Sequence, residues 1–163
     1  MKMNIVFSCD ENYAPFLATT IASIILNCTK NDKFSFYVLD GGLSRLSKAK
    51  INALRTYKEF DIFYIPFDYR KVDNCPTMGH FSKAAYFRFF MAELIQNADR
   101  LLYLDVHLIV TDSLSSIYNI NFENNIIAAV PRNKSDRLGI KNQLLFNSGV
   151  MLIDALLWRK WKI

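Results

Sequence analysis

The sequence predicts an α/β fold: a mixed, mostly parallel sheet with helices on both faces. Three observations predict it. Up to Pro66, runs rich in β-branched and aromatic residues alternate with stretches of helical period, giving the order β-α-β-α-β. Further apolar runs at 101–104, 125–130 and 144–153 add strands beyond that unit. The chain has 163 residues, 52% hydrophobic and 21% charged, which suits one domain with a sizeable core.

The elements follow in order. Met3 to Cys9 (MNIVFSC) is β-branched and aromatic in its middle and reads as the first strand. The polar turn Asp10-Glu11-Asn12 ends it, and Tyr13 to Cys28 reads as a helix with Phe16, Ile21, Ile24 and Ile25 near one face. Pro15 suits a first helical turn, where an amide hydrogen has no partner in any case. Phe34 to Asp40 is the second strand, broken by Gly41-Gly42, and Ser44 is a suitable N-cap for a helix from Arg45 to Tyr57. Asp61 to Pro66 is the third strand. Asp68 to Gly79 has no clean period and reads as a long loop, a common place for function. Phe81 to Ile95 reads as a helix capped by Ser82, with Arg88 in its middle. Leu101 to Leu104 is a strand, and a short helix runs from Thr111 or Asp112 to Tyr118 with capping chemistry at Asp112 and Ser113. Asn125 to Val130 is a strand stopped by Pro131. Leu144 to Ile153 is another, and Ala155 starts a final helix whose Trp158 packs on the sheet.

Composition excludes several function classes. Thirteen Phe and eight Tyr against four Pro and five Gly argue against disorder. The net charge of +5 suits an anionic ligand, but the basic residues are scattered, so no nucleic-acid stripe is visible. Cys9, Cys28 and Cys75 are widely spaced and fit neither a zinc site nor a disulfide framework. No GxGxxG, no GxxxxGK[ST] and no nucleophile elbow is present. No cleavable leader is visible, and 15–26, the most apolar segment, is too polar to span a membrane, so the expected location is cytoplasmic.

Ligands of parallel sheets bind outside the carboxyl ends of the strands, near the point where strand order reverses. Asp10 and Asn12 follow the first strand, and Asp105 and His107 follow the 101–104 strand. On an extended backbone Asp105 and His107 would point the same way, and both are ligands for a divalent ion such as Mn²⁺. Spacing alone leaves a second reading open, in which Asp105 forms a strand-end turn that His107 caps. Arg88 on its helix is, by position alone, a solvated face residue.

Five stretches then carry a resemblance: IVFSCDENYA (5–14), FYVLDGGLS (36–44), HFSKAAYFRF (80–89), ADRLLYLDVHLIV (98–110) and FNSGVMLIDALLWRKW (146–161). In this order they resemble the N-terminal part of glycosyltransferase family 8, which includes bacterial lipopolysaccharide galactosyl- and glucosyltransferases and glycogenin. The resemblance implies the GT-A fold, a Rossmann-like three-layer α/β/α arrangement. It implies transfer of a hexose from a UDP-sugar to a saccharide acceptor, with retention of configuration, in lipopolysaccharide or surface glycan synthesis. It further implies Mn²⁺ or Mg²⁺ as cofactor, no nucleic-acid partner, and room for peripheral association with the inner face of a membrane. Position by position, Asp10, Asn12 and Tyr13 would line the uracil and ribose. Arg88 would approach the sugar or diphosphate, with Lys83 a weaker aid. Asp105 would face metal and ribose with His107 as second metal ligand, and Asn147, Ser148 and Gly149 would lie along the donor sugar.

The sequence departs from the family pattern in three places. His107 stands where the family has the second aspartate of its DxD motif. Arg132, in AAVPRN, stands where an aspartate is usual. The family's later Asp-Gln pair and HxxGxxKPW segment, with a third metal ligand and a diphosphate-binding lysine, do not occur. The sequence reading therefore expects residues 1–163 to be a single nucleotide-sugar-binding unit, an incomplete GT-A domain lacking its C-terminal part. A truncated or degenerate UDP-binding module without turnover is the alternative expectation.

Overall fold

The alternating pattern folds as read. The computed structural model describes residues 1–76, 83–132 and 145–162. Its strands are β1 (Lys2–Cys9), β2 (Lys33–Asp40), β3 (Asp61–Pro66), β4 (Arg100–Leu104), β5 (Ile127–Arg132) and β6 (Leu145–Asp154). Its α-helices are α1 (Ala14–Leu26), α2 (Arg45–Asn52), α3 (Met91–Leu94), α4 (Ser115–Tyr118) and α5 (Ala155–Trp161). They form one six-stranded sheet in the order β3-β2-β1-β4-β6-β5. β1 to β4 are parallel, while β6 runs antiparallel to both β4 and β5. The strand order reverses between β1 and β4, so the crevice predicted for ligands opens above Cys9 and Leu104.

Two apolar clusters cover the two faces. One joins Ile5, Phe7, Phe36 and Leu102 to Leu17, Ile21 and Ile24 of α1. The other joins Val6, Leu39, Tyr103 and Ile153 to Phe87, Met91 and Trp158. Because side chains alternate along each strand, β1 is buried on both faces, as a central parallel strand must be. α2 starts where Ser44 accepts the amide hydrogen of Ser47 at 3.1 Å, the expected cap.

Four expectations need correction. Phe16 does not belong to the buried face of α1: it is 51% exposed and rests its ring on Tyr13, while Thr20 and Ser23 point inward instead. Residues 83–90 wind as a 3-10 helix before α3, and Arg88 Nε takes the Ala85 carbonyl, which an α-helix would offer to the amide of residue 89. The helix after β4 starts only at Ser115, with the Ser113 hydroxyl accepting the Ser115 amide hydrogen at 3.2 Å. Pro131 does not stop β5 but sits inside it. The strand is at the sheet edge and its pairing shifts between Ala129 and Pro131, so a missing amide hydrogen is tolerated there. Phe81 and Ser82, expected to begin that helix, and Leu144 lie outside the described residues, as does the Arg132 side chain. Trp158 is buried as expected, and Trp161 is exposed.

Candidate functional site

The carboxyl ends of β1 and β4 each deliver an aspartate to the crevice. After β1, Asp10 turns the chain into α1: its Oδ1 accepts the Asn12 amide hydrogen at 3.0 Å. This leaves the Asn12 side chain exposed and the Tyr13 ring half-buried against Phe16, at 5.7 Å between centroids. Glu11, between them, reaches the other way. Its carboxylate accepts the Ser44 amide hydrogen at 2.7 Å and the Ser47 hydroxyl at 2.8 Å, fastening the loop to the start of α2. Those donors, the Ser44 amide first, hold the Glu11 carboxyl below its ordinary value.

Asp105 follows β4 and is held from three directions. Its amide donates to the Gly149 carbonyl at 2.8 Å, so the antiparallel β6 brings residues 147–149 beside it. Its Oδ1 accepts from Arg88 Nη2 at 2.9 Å and from the Tyr103 hydroxyl at 3.0 Å. Arg88 is only 8% exposed. Its guanidinium lies 4.6 Å from the Tyr103 ring centre, and Nη1 donates to the Ser148 carbonyl at 2.7 Å and hydroxyl at 3.0 Å. The solvated-face reading of Arg88 therefore fails: the side chain is a buried fork with every contact charge-assisted. Burial pushes the Tyr103 phenol well above its ordinary range, so it remains a proton donor to Asp105 at any physiological pH.

The other carboxylate oxygen is different. Among the described residues no donor reaches Asp105 Oδ2. It lies over Gly149, where a Cβ would come within 2.6 Å of it. Asn147 shapes this cradle by accepting the Gly149 amide hydrogen at 2.9 Å. A half-buried carboxylate with one oxygen pinned and one lone-pair-bearing oxygen open suits a cation or a ligand hydroxyl.

His107 does not share the direction of Asp105 by strand alternation. The backbone turns at Val106 and His107, and the imidazole is exposed, with no hydrogen bond among the described residues. Among the described residues the capping reading of His107 finds no hydrogen bond to support it either. Among the described residues no three His, Cys, Asp or Glu side chains cluster as a metal cage. Lys83 is engaged by Asp73, at 3.0 Å to its carboxylate. Cys9, buried beneath the loop, has its thiol pushed up to about 12 by burial and by Asp10, Asp40 and Glu11, which makes it inert as a nucleophile.

The sequence reading missed Tyr103 and Glu11. Tyr103 was legible only through its i, i+2 relation to Asp105 on the same face of β4. Glu11 carried no signal beyond lying between two candidate residues.

Comparison with known proteins comes to the same fold. The model of the family described as "Glycosyl transferase family 8" matches residues 4–163. General stress protein A of Bacillus subtilis is 29% identical over 99% of this chain and 59% of its own length. Lipopolysaccharide 1,2-glucosyltransferase of Escherichia coli is 29% identical over 99% of this chain and 50% of its own. The crystal structure of the galactosyltransferase LgtC in complex with donor and acceptor sugar analogs superposes with a TM-score of 0.87 at 29% identity, covering 97% of this chain and 60% of LgtC. The arrangement is the GT-A fold that the family resemblance implies. The chain spans about a fifth to three-fifths of the length of the curated relatives it matches.

Proposed function

Because this chain belongs to glycosyltransferase family 8, we propose that it is the nucleotide-sugar-binding part of a hexosyltransferase that uses a UDP-sugar and a saccharide acceptor. The proposal includes retention of configuration and a role in lipopolysaccharide or surface glycan synthesis, and takes residues 1–163 as one binding unit. The observation that carries it is the convergence, at one switch point of the sheet, of the Asp10–Tyr13 loop, Arg88, Asp105 and the 147–149 cradle.

Each group has work suited to its chemistry. Asp10 and Asn12 offer an acceptor and an amide to the edge of uracil, and Tyr13 a ring face. Arg88 is the preorganised cation for the charge that develops on the diphosphate as the glycosidic bond breaks. Its half-buried carbonyl and hydroxyl partners fix the guanidinium, so little reorganisation remains at the moment of reaction. The open Asp105 Oδ2 accepts a ribose hydroxyl or a metal. The donor set fits Mn²⁺ or Mg²⁺ only in part: Asp105 and His107 would hold the ion, and oxygens of the bound diphosphate would complete its shell. Such an ion supplies charge neutralisation to the leaving group. Asn147, Ser148 and Gly149 border the place of the donor sugar.

Calorimetric titration with UDP, in the presence and absence of Mn²⁺, tests this reading. UDP binds the folded chain, and Asp105→Ala weakens binding by about ten-fold or more. A folded chain with no affinity for UDP refutes the reading. A second reading is a UDP-binding module without turnover, favoured by the lack of a three-ligand metal cage among the described residues. UDP binding with neither sugar transfer nor UDP-sugar hydrolysis selects it.

A further inference from the structure

The backbone from Val106 to Val110 leaves the sheet, yet four of its polar groups, the carbonyls of Val106, Leu108 and Val110 and the Val110 amide, find side-chain partners. They are paired by one face of α1. The Thr20 hydroxyl donates to the carbonyls of Val106, at 2.6 Å, and Leu108, at 2.9 Å. The Ser23 hydroxyl accepts the Val110 amide hydrogen at 3.0 Å and gives its own proton to the Thr20 carbonyl at 2.7 Å. Asn27 donates to the Val110 carbonyl at 2.9 Å and to the Ser23 carbonyl at 3.0 Å. Positions 20, 23 and 27 lie on one helical face, and they give this segment the partners a neighbouring strand would otherwise supply.

Thr20 differs from the other two in where it acts. It is fully buried. One hydroxyl proton is shared by two carbonyls that flank a single residue, His107. Drawing the carbonyls of residues 106 and 108 to one point folds the backbone inward there and thrusts residue 107 outward. That matches the turn at Val106-His107 and the exposed imidazole. The same helix starts directly after Asp10, Asn12 and Tyr13. α1 is thus one rigid bar whose end carries the nucleoside loop and whose side carries the Asp105–His107 loop.

We infer that Thr20 is a positioning residue: its hydroxyl sets the direction of His107, and through α1 it sets the spacing between the metal-facing loop and the nucleoside-facing loop. The inference rests on the metal reading proposed above. An ion held by Asp105 and His107 would tolerate little error in that spacing. The Ser23 and Asn27 contacts lie farther along and fix the exit of the loop.

The test is the Mn²⁺-dependent gain in UDP affinity, read by calorimetry on the wild-type chain and three variants. Thr20→Val keeps the shape and removes the donor. Thr20→Ser keeps the donor. Ile24→Val, on the apolar face of the same helix, supplies a loss of stability without touching the loop. The expected result is that Thr20→Val cuts the Mn²⁺-dependent gain by about ten-fold and leaves metal-free UDP affinity within about two-fold. Thr20→Ser restores the gain, and Ile24→Val preserves it despite a lower melting temperature. A gain that survives Thr20→Val, or that Ile24→Val removes equally, overturns the inference alone. A wild-type chain that binds UDP equally with and without Mn²⁺ overturns the metal reading, and the inference falls with it.

Discussion

Replacing Gly149 by alanine tests how firmly Asp105 is held. The glycine has no unusual φ, so alanine meets no backbone strain there, and only space opposes it. The added Cβ would stand 2.6 Å from Asp105 Oδ2 and 3.1 Å from Asn147 Oδ1. To reach the 3.4 Å of ordinary contact the Asp105 oxygen must retreat by about 0.8 Å. An isolated carboxylate would swing aside at little cost. This one is pinned through Oδ1 to Arg88 at 2.9 Å and to Tyr103 at 3.0 Å, so a retreat of that size stretches both bonds past useful length. Overpacking of this kind costs about 1–3 kcal/mol, and a chain of this size loses about 2–4 °C for each. The expected outcome is a melting temperature lower by about 2–12 °C, together with UDP affinity reduced by about ten-fold. Gly42→Ala is the control. Gly42 has φ +109° and open space around its missing Cβ, so alanine there is strained without touching Asp105. It should lower the melting temperature and leave UDP affinity unchanged. If Gly149→Ala changes neither stability nor UDP affinity, the carboxylate is not pinned and the reasoning fails.

Arg88→Lys keeps the charge but cannot serve Asp105, Ser148 and the Ala85 carbonyl from one planar fork, so a loss of about 1–3 kcal/mol in urea unfolding is expected, with weaker UDP binding. Glu11 has a depressed folded-state pKa, so its contribution is fully present above the ordinary value of 4.5 and is lost as pH falls through the lower folded value. Urea midpoints of wild type and Glu11→Gln should therefore differ at pH 7 and converge as pH falls below 4.5. Cys9, with its thiol at about 12, should resist alkylation at pH 8 in the folded chain and react once the chain is unfolded, as mass spectrometry of the labelled peptides would show.

The fold was legible because its signals are local and agree. β1, β2 and β3 are continuous β-branched and aromatic runs, and the turns between them carry Asp, Gly and Ser where the chain needs caps. What misled is equally specific. The run KAAYFRFF has helical composition, but a buried arginine competing for the Ala85 carbonyl is a tertiary event that no local pattern records. Pro131 reads as a strand stop unless the strand is known to be an edge, and edge position belongs to the sheet. Thr20 and Ser23 look like polar interruptions of an apolar helix. Their partners are more than eighty residues away in sequence.

The site was half legible for a reason that lies in the topology. Residues after β1 and β4 can be placed at the crevice from sequence alone, because both strands are parallel and end on the same side. Asn147 to Gly149 stand at the beginning of a strand, and reach that same edge only because β6 is antiparallel to β4. The reversal matters chemically. A parallel β6 would present its carboxyl end here, and the Ser148 carbonyl and hydroxyl would lie at the far side of the sheet, leaving the buried Arg88 fork with Asp105 alone. With β6 reversed, Arg88 is satisfied by Ser148 on one nitrogen and by Asp105 on the other. Asp105 can then leave one oxygen open without leaving a buried guanidinium unpaired, a state that would cost several kcal/mol on the order of a broken buried pair. The oxygen above Gly149, which no donor reaches among the described residues, is left open by that strand direction, and the Gly149→Ala variant crowds it.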